Sequence, residues 1–357
     1  MVNYGEKLQL WRFMKSNPFS LTFGKHPEKY ISRYENTDMI LSTFSSENPL
    51  SHTYLIEGVR GSGKTVLMTT ISQQLSAGKE WIIVDLNSTR GLMDDLAHRL
   101  YDSCSNIPKL LDKGFNVSIA GVGIGIGGSA GFQDSISIIT KLLSAAKKKN
   151  KKILITIDEV MHSKDMREFA SQFQIWLRQD FDIFLIMTGL YKNMNAIQND
   201  PALTFLLRSP RIILKPLSIR QITSQYEEIF EIDEPSAMEL AEITKGYALA
   251  FQALGTLYWE FGKETPLDSI LKKLDDLLED FAYKKIWESL SDVERDIIGC
   301  INTDKTKVLT IRNQLSMASG TFSKYRDNLV KSGILMPESH GYVSLALPRF
   351  YEVTRFF

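Results

Sequence analysis

The sequence has little cysteine and no excess of either charge, and both scarcities narrow the possible functions. Its 357 residues include only two cysteines, Cys104 and Cys300, which lie far apart and lack the spacing of metal ligands. We therefore expect neither a disulfide framework nor a zinc site. Basic and acidic residues number 42 each, so the formal net charge is zero. A chain with no net charge has no overall attraction to nucleic acid or to an anionic membrane. Any contact with DNA must therefore come from a local charged surface.

Long hydrophobic runs are missing as well. The longest apolar stretches are about the length of a strand, whereas a helix that spans a bilayer needs roughly 20 apolar residues. No pattern of a signal peptide opens the chain. We expect a cytoplasmic protein in a reducing compartment, with no membrane partner, and the length predicts two or three domains.

The most informative stretch that is present is a glycine-rich loop at residues 58–65, which reads Gly-Val-Arg-Gly-Ser-Gly-Lys-Thr. Its glycines let backbone N–H groups approach phosphate oxygens. Lys64 would place its charge between the β- and γ-phosphates, and the Thr65 hydroxyl would ligate Mg²⁺ at the N-terminus of a helix. A β-rich segment precedes the loop and a helical pattern follows it. The predicted ATP-binding residues are Gly58, Val59, Arg60, Gly61, Ser62, Gly63, Lys64, Thr65 and Val66.

An apolar strand that ends in two acids supplies the second half of this predicted site. Residues 152–159 read Lys-Ile-Leu-Ile-Thr-Ile-Asp-Glu, the pattern of a Walker B strand. Asp158 would hold Mg²⁺ through water, and Glu159 would orient and deprotonate the attacking water. The pair therefore predicts hydrolysis of the nucleotide as well as binding.

Three further residues are candidates for the catalytic site. Thr188 lies near the end of the apolar strand 182–190, where a γ-phosphate sensor would sit beside the Walker B strand; the alternative is an ordinary threonine that ends a buried strand. Arg208 and Arg211 flank a Ser-Pro pair before another short strand. Either is a candidate arginine finger, in its own subunit or a neighbour's, or else a surface arginine near a loop.

The order of the patterns predicts four segments. Residues 1–51 form a lead-in, and strands alternate with helices over 52–218, which is typical of a parallel α/β sheet covered on both faces. A glycine-rich stretch at about 115–132 interrupts that core. Its Gly123, Gly125 and Gly128 match a dinucleotide motif, but alternation with apolar residues favours an inserted hairpin. Residues 219–285 follow as a helical lid.

Residues 286–357 have the pattern of a winged helix-turn-helix, with helices at 291–300, 309–315 and 319–332 and a two-stranded wing within 334–347. Cations outnumber acids in its central part, so one face is a candidate surface for the phosphates of duplex DNA. The alternative is a winged helix that contacts proteins. The candidate DNA-binding residues are Lys324, Arg326 and Lys331.

Together these motifs identify a resemblance that covers nearly the whole chain. The sequence resembles the bacterial and archaeal AAA+/STAND P-loop ATPases related to origin-recognition initiators. The resemblance rests on Asn17-Pro18-Phe19 with Phe23-Gly24, Ile31-Ser32-Arg33, the phosphate loop, Ile-Asp-Glu-Val at 157–160, Thr188-Gly189-Leu190, Leu-Arg-Ser-Pro-Arg at 207–211, Thr-Lys-Gly-Tyr at 244–247 and Leu-Pro-Arg-Phe at 347–350. It implies a P-loop core with a lid and winged helix, Mg²⁺ and ATP as cofactors, and an adenine-side box at residues 31–33.

Two departures from the family pattern affect the expected activity. Ser32 stands where the box usually has glycine, and the helix after Gly246 lacks the sensor arginine of many initiators. The first departure concerns the adenine contact; because of the second we expect weak sensing of the γ-phosphate by the lid and slow hydrolysis. The favoured function is an ATPase whose nucleotide state controls DNA binding by the winged helix. The alternative is a STAND-like signalling or defence switch that acts by ATP-dependent self-assembly, as a homo-oligomer, or through a protein partner; no repeat array follows the winged helix to support it.

Overall fold

The computed structural model describes residues 16–22, 27–88, 91–105, 132–301 and 305–357. Apart from residue 132, the predicted glycine-rich hairpin at 115–132 lies outside the described residues, as does the Phe23-Gly24 pair. The chain forms two compact units. We call Arg33–Gly58 with Lys64–Leu214 the sheet unit, and Met1–Ser32 with Val59–Gly63 and Lys215–Phe357 the helix-rich unit. The four predicted segments stay a prediction.

A five-stranded parallel sheet organises the sheet unit. Its strands are β1 (Thr53–Glu57), β2 (Trp81–Asn87), β3 (Lys152–Asp158), β4 (Ile183–Gly189) and β5 (Arg211–Ile213), in the order β2-β3-β4-β1-β5. Every adjacent pair is parallel. Because all strands run the same way, the ends of β1, β3 and β4 meet at one edge, and β4 lies between the strand before the phosphate loop and the Walker B strand.

Helices cover both faces of this sheet, as the near-continuous apolar strands predict. Along β1, Tyr54 and Ile56 pack with α1 (Tyr34–Ser45) and α2 (Lys64–Ser76), whereas Leu55 between them packs against the other face. That second face is covered by α3 (Leu92–Ser105), α4 (Phe132–Lys148), α5 (Lys164–Arg178) and α6 (Tyr191–Gln198). A 3₁₀ segment, Pro201–Arg208, leads into β5. The predicted parallel α/β core is confirmed.

Within the helix-rich unit, the residues that follow the sheet in sequence form a run of helices. These are α7 (Ile219–Phe230), α8 (Glu234–Ile243), α9 (Ala248–Phe261), α10 (Leu267–Leu278) and α11 (Lys284–Glu288), with a π-helical segment at Glu279–Tyr283. Local signals set their starts: Ser218 accepts from the Gln221 amide, and Asp233 accepts from the Ser236 amide. Part of the lead-in packs on these helices, because the Phe19 ring contacts Tyr226, Phe230 and Phe251.

The end of the chain has the element order of a winged helix-turn-helix. Helix α12 (Asp292–Gly299), strand β6 (Thr306–Lys307), helices α13 (Val308–Gln314) and α14 (Ser319–Lys331), and strands β7 (Leu335–Pro337) and β8 (Tyr342–Leu345) precede a short helix, α15 (Phe350–Thr354). A capping box of Ser291 and Glu294 starts α12. The sequence predicts the two strands of the wing but not β6, which pairs antiparallel with β8.

Among the residues that the structure describes, no helix is both long enough and apolar enough to cross a bilayer.

Candidate functional site

The phosphate loop joins β1 to α2, as its motif requires. Within the sheet unit, the Lys64 side chain folds back and its Nζ donates to the Gly58 carbonyl at 3.0 Å. Lys64 is only 8% exposed. Its ammonium is therefore held over the start of the loop, where it is available to a phosphate without a large rearrangement of the lysine stem.

The tip of the loop, Val59–Gly63, needs glycine for its backbone. Gly61 and Gly63 have φ angles of +76° and +91°, a region that residues with a Cβ rarely adopt. The Ser62 amide donates to the Val59 carbonyl at 3.2 Å and closes a tight turn. The glycines thus make the curvature of a loop that can wrap an anion.

The Asp158 carboxylate is the centre of a hydrogen-bond cluster at the edge of the sheet. Its Oδ2 accepts from the Thr65 hydroxyl at 2.6 Å, and its Oδ1 accepts from the Thr188 hydroxyl and from the Glu159 amide at 3.0 Å. The Glu159 amide is also 3.3 Å from the Thr188 hydroxyl oxygen. Four predicted site residues, from α2, β3 and β4, are therefore brought together.

The donor set at Asp158 fits Mg²⁺. Mg²⁺ prefers oxygen ligands, keeps several waters and usually takes only one or two protein groups together with phosphate oxygens. The Thr65 hydroxyl and the Asp158 carboxylate are two such oxygens, already within hydrogen-bond distance of each other. Among the described residues, no cluster of three or more His, Cys, Asp or Glu side chains forms a separate metal site.

Glu159 occupies an unusual position just past the end of β3. It is exposed, and its φ of +50° lies in the left-handed region. Such backbone costs about 1–3 kcal/mol at a residue with a side chain and persists where the surroundings impose it. The bonds of the Glu159 amide, and the bond of 2.8 Å from the Val160 amide to the Thr188 carbonyl, impose it here. The turn leaves Glu159 exposed while the next residue, Val160, is buried.

Thr188 itself is fully buried. Its hydroxyl donates to Asp158, so this structure places it behind the Walker B carboxylate rather than at an exposed surface. A sensor role would act through Asp158 and Glu159.

The two candidate arginine fingers have different surroundings. Arg211 pairs with Glu57, the last residue of β1, and its Nε donates to Oε1 of Glu57 at 2.5 Å. Glu57 is 2% exposed; burial raises the pKa of its carboxyl and the Arg211 guanidinium acts in the opposite direction. Arg208 is exposed at the end of the 3₁₀ segment. Arg211 is thus engaged within its own chain, and Arg208 is the more accessible of the two.

A second charged cluster next to the Walker B strand has no counterpart among the predicted residues. Asp200, 4% exposed at its side chain, accepts from Arg167 Nε at 2.5 Å and lies 2.8 Å from His162 Nε2. Asp200 lies 38 positions after His162 and 33 after Arg167, and the three residues belong to no motif, so the sequence alone gives no signal for this cluster. The cluster ties the segment after β3 to the residues that lead to Arg208.

The three candidate DNA-binding residues lie on α14 and differ in how exposed their side chains are. Lys324 and Lys331 are exposed, whereas Arg326 is half-buried and pairs with Asp327 at 3.0 Å. An open groove of about 300 Å³ lies between this part of α14 and the turn that joins β7 to β8, and Arg326, His340 and Tyr342 are among the residues that line it. Lys305, just before β6, has its Nζ 5.0 Å from the centre of the Tyr342 ring.

The sheet order and the phosphate loop together define an α/β P-loop fold of the AAA+ type. A comparison with solved structures finds the Aeropyrum pernix ORC2 protein, solved as ADPNP-ADP complexes, at 14% identity and a TM-score of 0.59, with 94% of this chain and 96% of that chain covered. Cdc6p from Pyrobaculum aerophilum follows at 12% identity and 0.50, with 94% and 95% covered. The ADP form of ORC2 gives 14% identity and 0.51, with 93% and 96% covered.

These likenesses cover 93–94% of this chain, and this protein shares the fold of the ORC2 and Cdc6p structures. At 12–14% identity they concern the fold alone. No family model matches the sequence, and the search of curated proteins finds no significant match.

Proposed function

We propose that this protein is an ATP-driven switch of the AAA+ type. It binds ATP with Mg²⁺ at the phosphate loop, hydrolyses it slowly with Glu159, and its nucleotide state controls how the C-terminal winged-helix module binds duplex DNA. The single observation that supports this most strongly is the cluster at Asp158, where side chains from α2, β3 and β4 converge on one carboxylate.

The residues of the cluster have separable roles. Lys64 binds the β- and γ-phosphates, and the backbone of residues 58–65 wraps them. Thr65 and Asp158 hold Mg²⁺, which supplies charge neutralisation at the phosphates. Glu159 orients a water and accepts its proton, while Thr188 holds both acidic residues in place. Of the two arginines we favour Arg208 as the finger, since Arg211 is already paired with Glu57.

DNA binding rests on the charge of the C-terminal module. The chain as a whole has no net charge, so the contact must come from a local surface. Helix α14 carries the exposed Lys324 and Lys331 and the half-buried Arg326, and it occupies the position of the second helix of a helix-turn-helix, the one that enters a major groove in such modules. The ADPNP-ADP complexes of ORC2 agree with nucleotide binding by a protein of this fold.

The test of nucleotide binding is Lys64→Ala, with Lys79→Ala as the control. Lys79 is an exposed lysine in the turn between α2 and β2, so its loss removes the same charge from the same unit. We expect Lys64→Ala to abolish tight binding of a fluorescent ATP analogue and Lys79→Ala to leave it unchanged. Equal affinities for wild type and Lys64→Ala would contradict the proposed site.

A second experiment separates the DNA-controlled ATPase from the alternative assembly switch. ATPase rates are measured with and without duplex DNA, and mass in solution is measured with and without ATP. A DNA-dependent rate supports the proposal. ATP-dependent assembly without any salt-sensitive DNA binding supports the signalling alternative.

A further inference from the structure

A buried tyrosine of the helix-rich unit contacts the backbone of the phosphate loop directly. Tyr247 precedes α9, is 5% exposed, and its hydroxyl donates to the Arg60 carbonyl at 2.5 Å. Two residues on, the Leu249 amide donates to the Gly61 carbonyl at 3.1 Å. The first N–H groups of a helix have no partner within it, and here one of them is satisfied by the loop. Two consecutive loop carbonyls, those of Arg60 and Gly61, are therefore held by residues at the start of α9.

Holding these carbonyls also sets where the loop amides point. In a trans peptide the C=O of one residue and the N–H of the next lie in one plane and point in opposite directions. Because the Arg60 carbonyl points at the Tyr247 hydroxyl, the Gly61 N–H points away from the tyrosine. That amide belongs to the set that a phosphate loop offers to an anion.

The contact depends on glycine at position 61. A Cβ at Gly61 would lie 2.3 Å from the Tyr247 hydroxyl oxygen, and its φ is +76°. The missing side chain thus allows both the backbone conformation and the approach of the tyrosine. Burial raises the pKa of Tyr247, so the hydroxyl keeps its proton and remains a donor.

The ring is held from its other side as well. It stacks on Tyr283 with centroids 6.2 Å apart and an interplanar angle of 23°. The Tyr283 hydroxyl donates to the Pro348 carbonyl at 2.6 Å, and its ring meets Phe350 edge-on at 4.8 Å. A side chain locked in this way can define the position of its hydrogen-bond partner.

We propose that Tyr247 is a positioning residue for nucleotide binding: its hydroxyl holds the Arg60 peptide so that the neighbouring amide faces the phosphates. The inference rests on the proposed ATP site. It assigns to Tyr247 a role at the loop that requires no contact with nucleotide.

The test compares Tyr247→Phe with Tyr226→Phe. Tyr226 is also fully buried in the helix-rich unit, and its hydroxyl donates to a backbone carbonyl, that of Phe251, at 2.7 Å. Both changes remove one buried hydroxyl and are expected to lower the melting temperature. Only Tyr247→Phe is expected to weaken binding of a fluorescent ATP analogue, by about two- to tenfold, the range for one net hydrogen bond.

The outcomes separate this inference from the proposed function. If wild type binds the analogue and Lys64→Ala does not, while Tyr247→Phe binds as tightly as wild type, the positioning role is wrong and the site stands. If wild type itself does not bind, the proposed function fails first.

Hydrogen exchange provides a readout should Tyr247→Phe fail to fold. In wild-type protein, added ADP should slow exchange of the Gly61 amide, which the held Arg60 peptide directs at the phosphates, and should change the Ala253 amide of α9 much less. Unchanged exchange at Gly61 in protein saturated with ADP would overturn the inference.

Discussion

Replacing Thr188 by valine removes one hydroxyl from the centre of the proposed site and preserves the branched shape of the side chain. The Thr188 hydroxyl donates to Asp158, and its oxygen is 3.3 Å from the Glu159 amide nitrogen. Thr188 is fully buried, so water cannot easily replace the lost donor. Asp158 would keep two of its three donors, the Thr65 hydroxyl and the Glu159 amide.

The size of the effect follows from the charge on the acceptor. A hydrogen bond to a charged group contributes about 1.5–3 kcal/mol, which corresponds to roughly 10- to 150-fold in a rate if the whole term is expressed in the transition state. We therefore expect Thr188→Val to lower kcat by about one to two orders of magnitude. Binding of the ATP analogue without Mg²⁺ should change little, because the phosphate loop is untouched.

The matched control is Thr156→Val. Thr156 is equally buried on β3, and its hydroxyl donates to the Asp85 carboxylate, which is not part of the proposed site. The test measures steady-state ATPase rates of both variants over a range of Mg²⁺ concentrations, together with their melting temperatures. If Thr188→Val and Thr156→Val lose the same amount of activity, the specific role of Thr188 in holding Asp158 and Glu159 is refuted.

Three further predictions follow from the same structure. Glu159→Gln should bind ATP normally and retain it unhydrolysed, as followed by single-turnover assays; turnover at the wild-type rate would remove Glu159 from the mechanism. Changing Lys324 and Arg326 together to alanine should weaken DNA binding and lower the slope of log K against log salt by about one per lost phosphate contact, with the DNA-free ATPase rate unchanged; equal DNA affinity of the double variant argues against this surface. Burial raises the pKa of the Cys104 thiol from 9.0 to about 12. Between pH 9.0 and about 12 the native state therefore keeps a proton that the unfolded state releases. The free energy of unfolding should fall by about 1.4 kcal/mol per pH unit over that range. Alkaline unfolding curves of Cys104→Ala should lack this part of the slope; identical slopes would show that the thiol is not protected.

Much of the site could be predicted because its residues belong to local patterns. The loop at residues 58–65 needs its glycines and Lys64 next to one another along the chain, and Asp158 with Glu159 ends a continuous apolar strand. Both patterns arise from short-range requirements, namely the curvature of the loop and the burial of β3 on both faces. They are therefore visible without knowledge of the fold.

The contacts that connect these patterns could not be predicted in the same way. Tyr247 meets Arg60 across 187 positions of sequence, and Arg211 meets Glu57 across 154. The motif Thr-Lys-Gly-Tyr at 244–247 marks Tyr247 in the sequence but does not show that its hydroxyl contacts the loop backbone. Arg211 and Arg208 are equivalent until the pairing of β5 with β1 is known. The short strand β6 was missed since two residues carry no periodicity.

The sequence by itself determined the phosphate loop, the acidic strand end, the alternation of strands and helices, and the positions of most C-terminal helices. Each of these features depends on neighbouring residues or on the regular spacing of apolar residues within one segment. The tertiary structure alone decided the strand order β2-β3-β4-β1-β5, and with it the meeting of Thr65, Asp158 and Thr188. It also decided which carbonyls of the loop are held by Tyr247 and Leu249. The physical reason is that these contacts join segments whose packing is settled by burial of the whole core, which no single segment encodes.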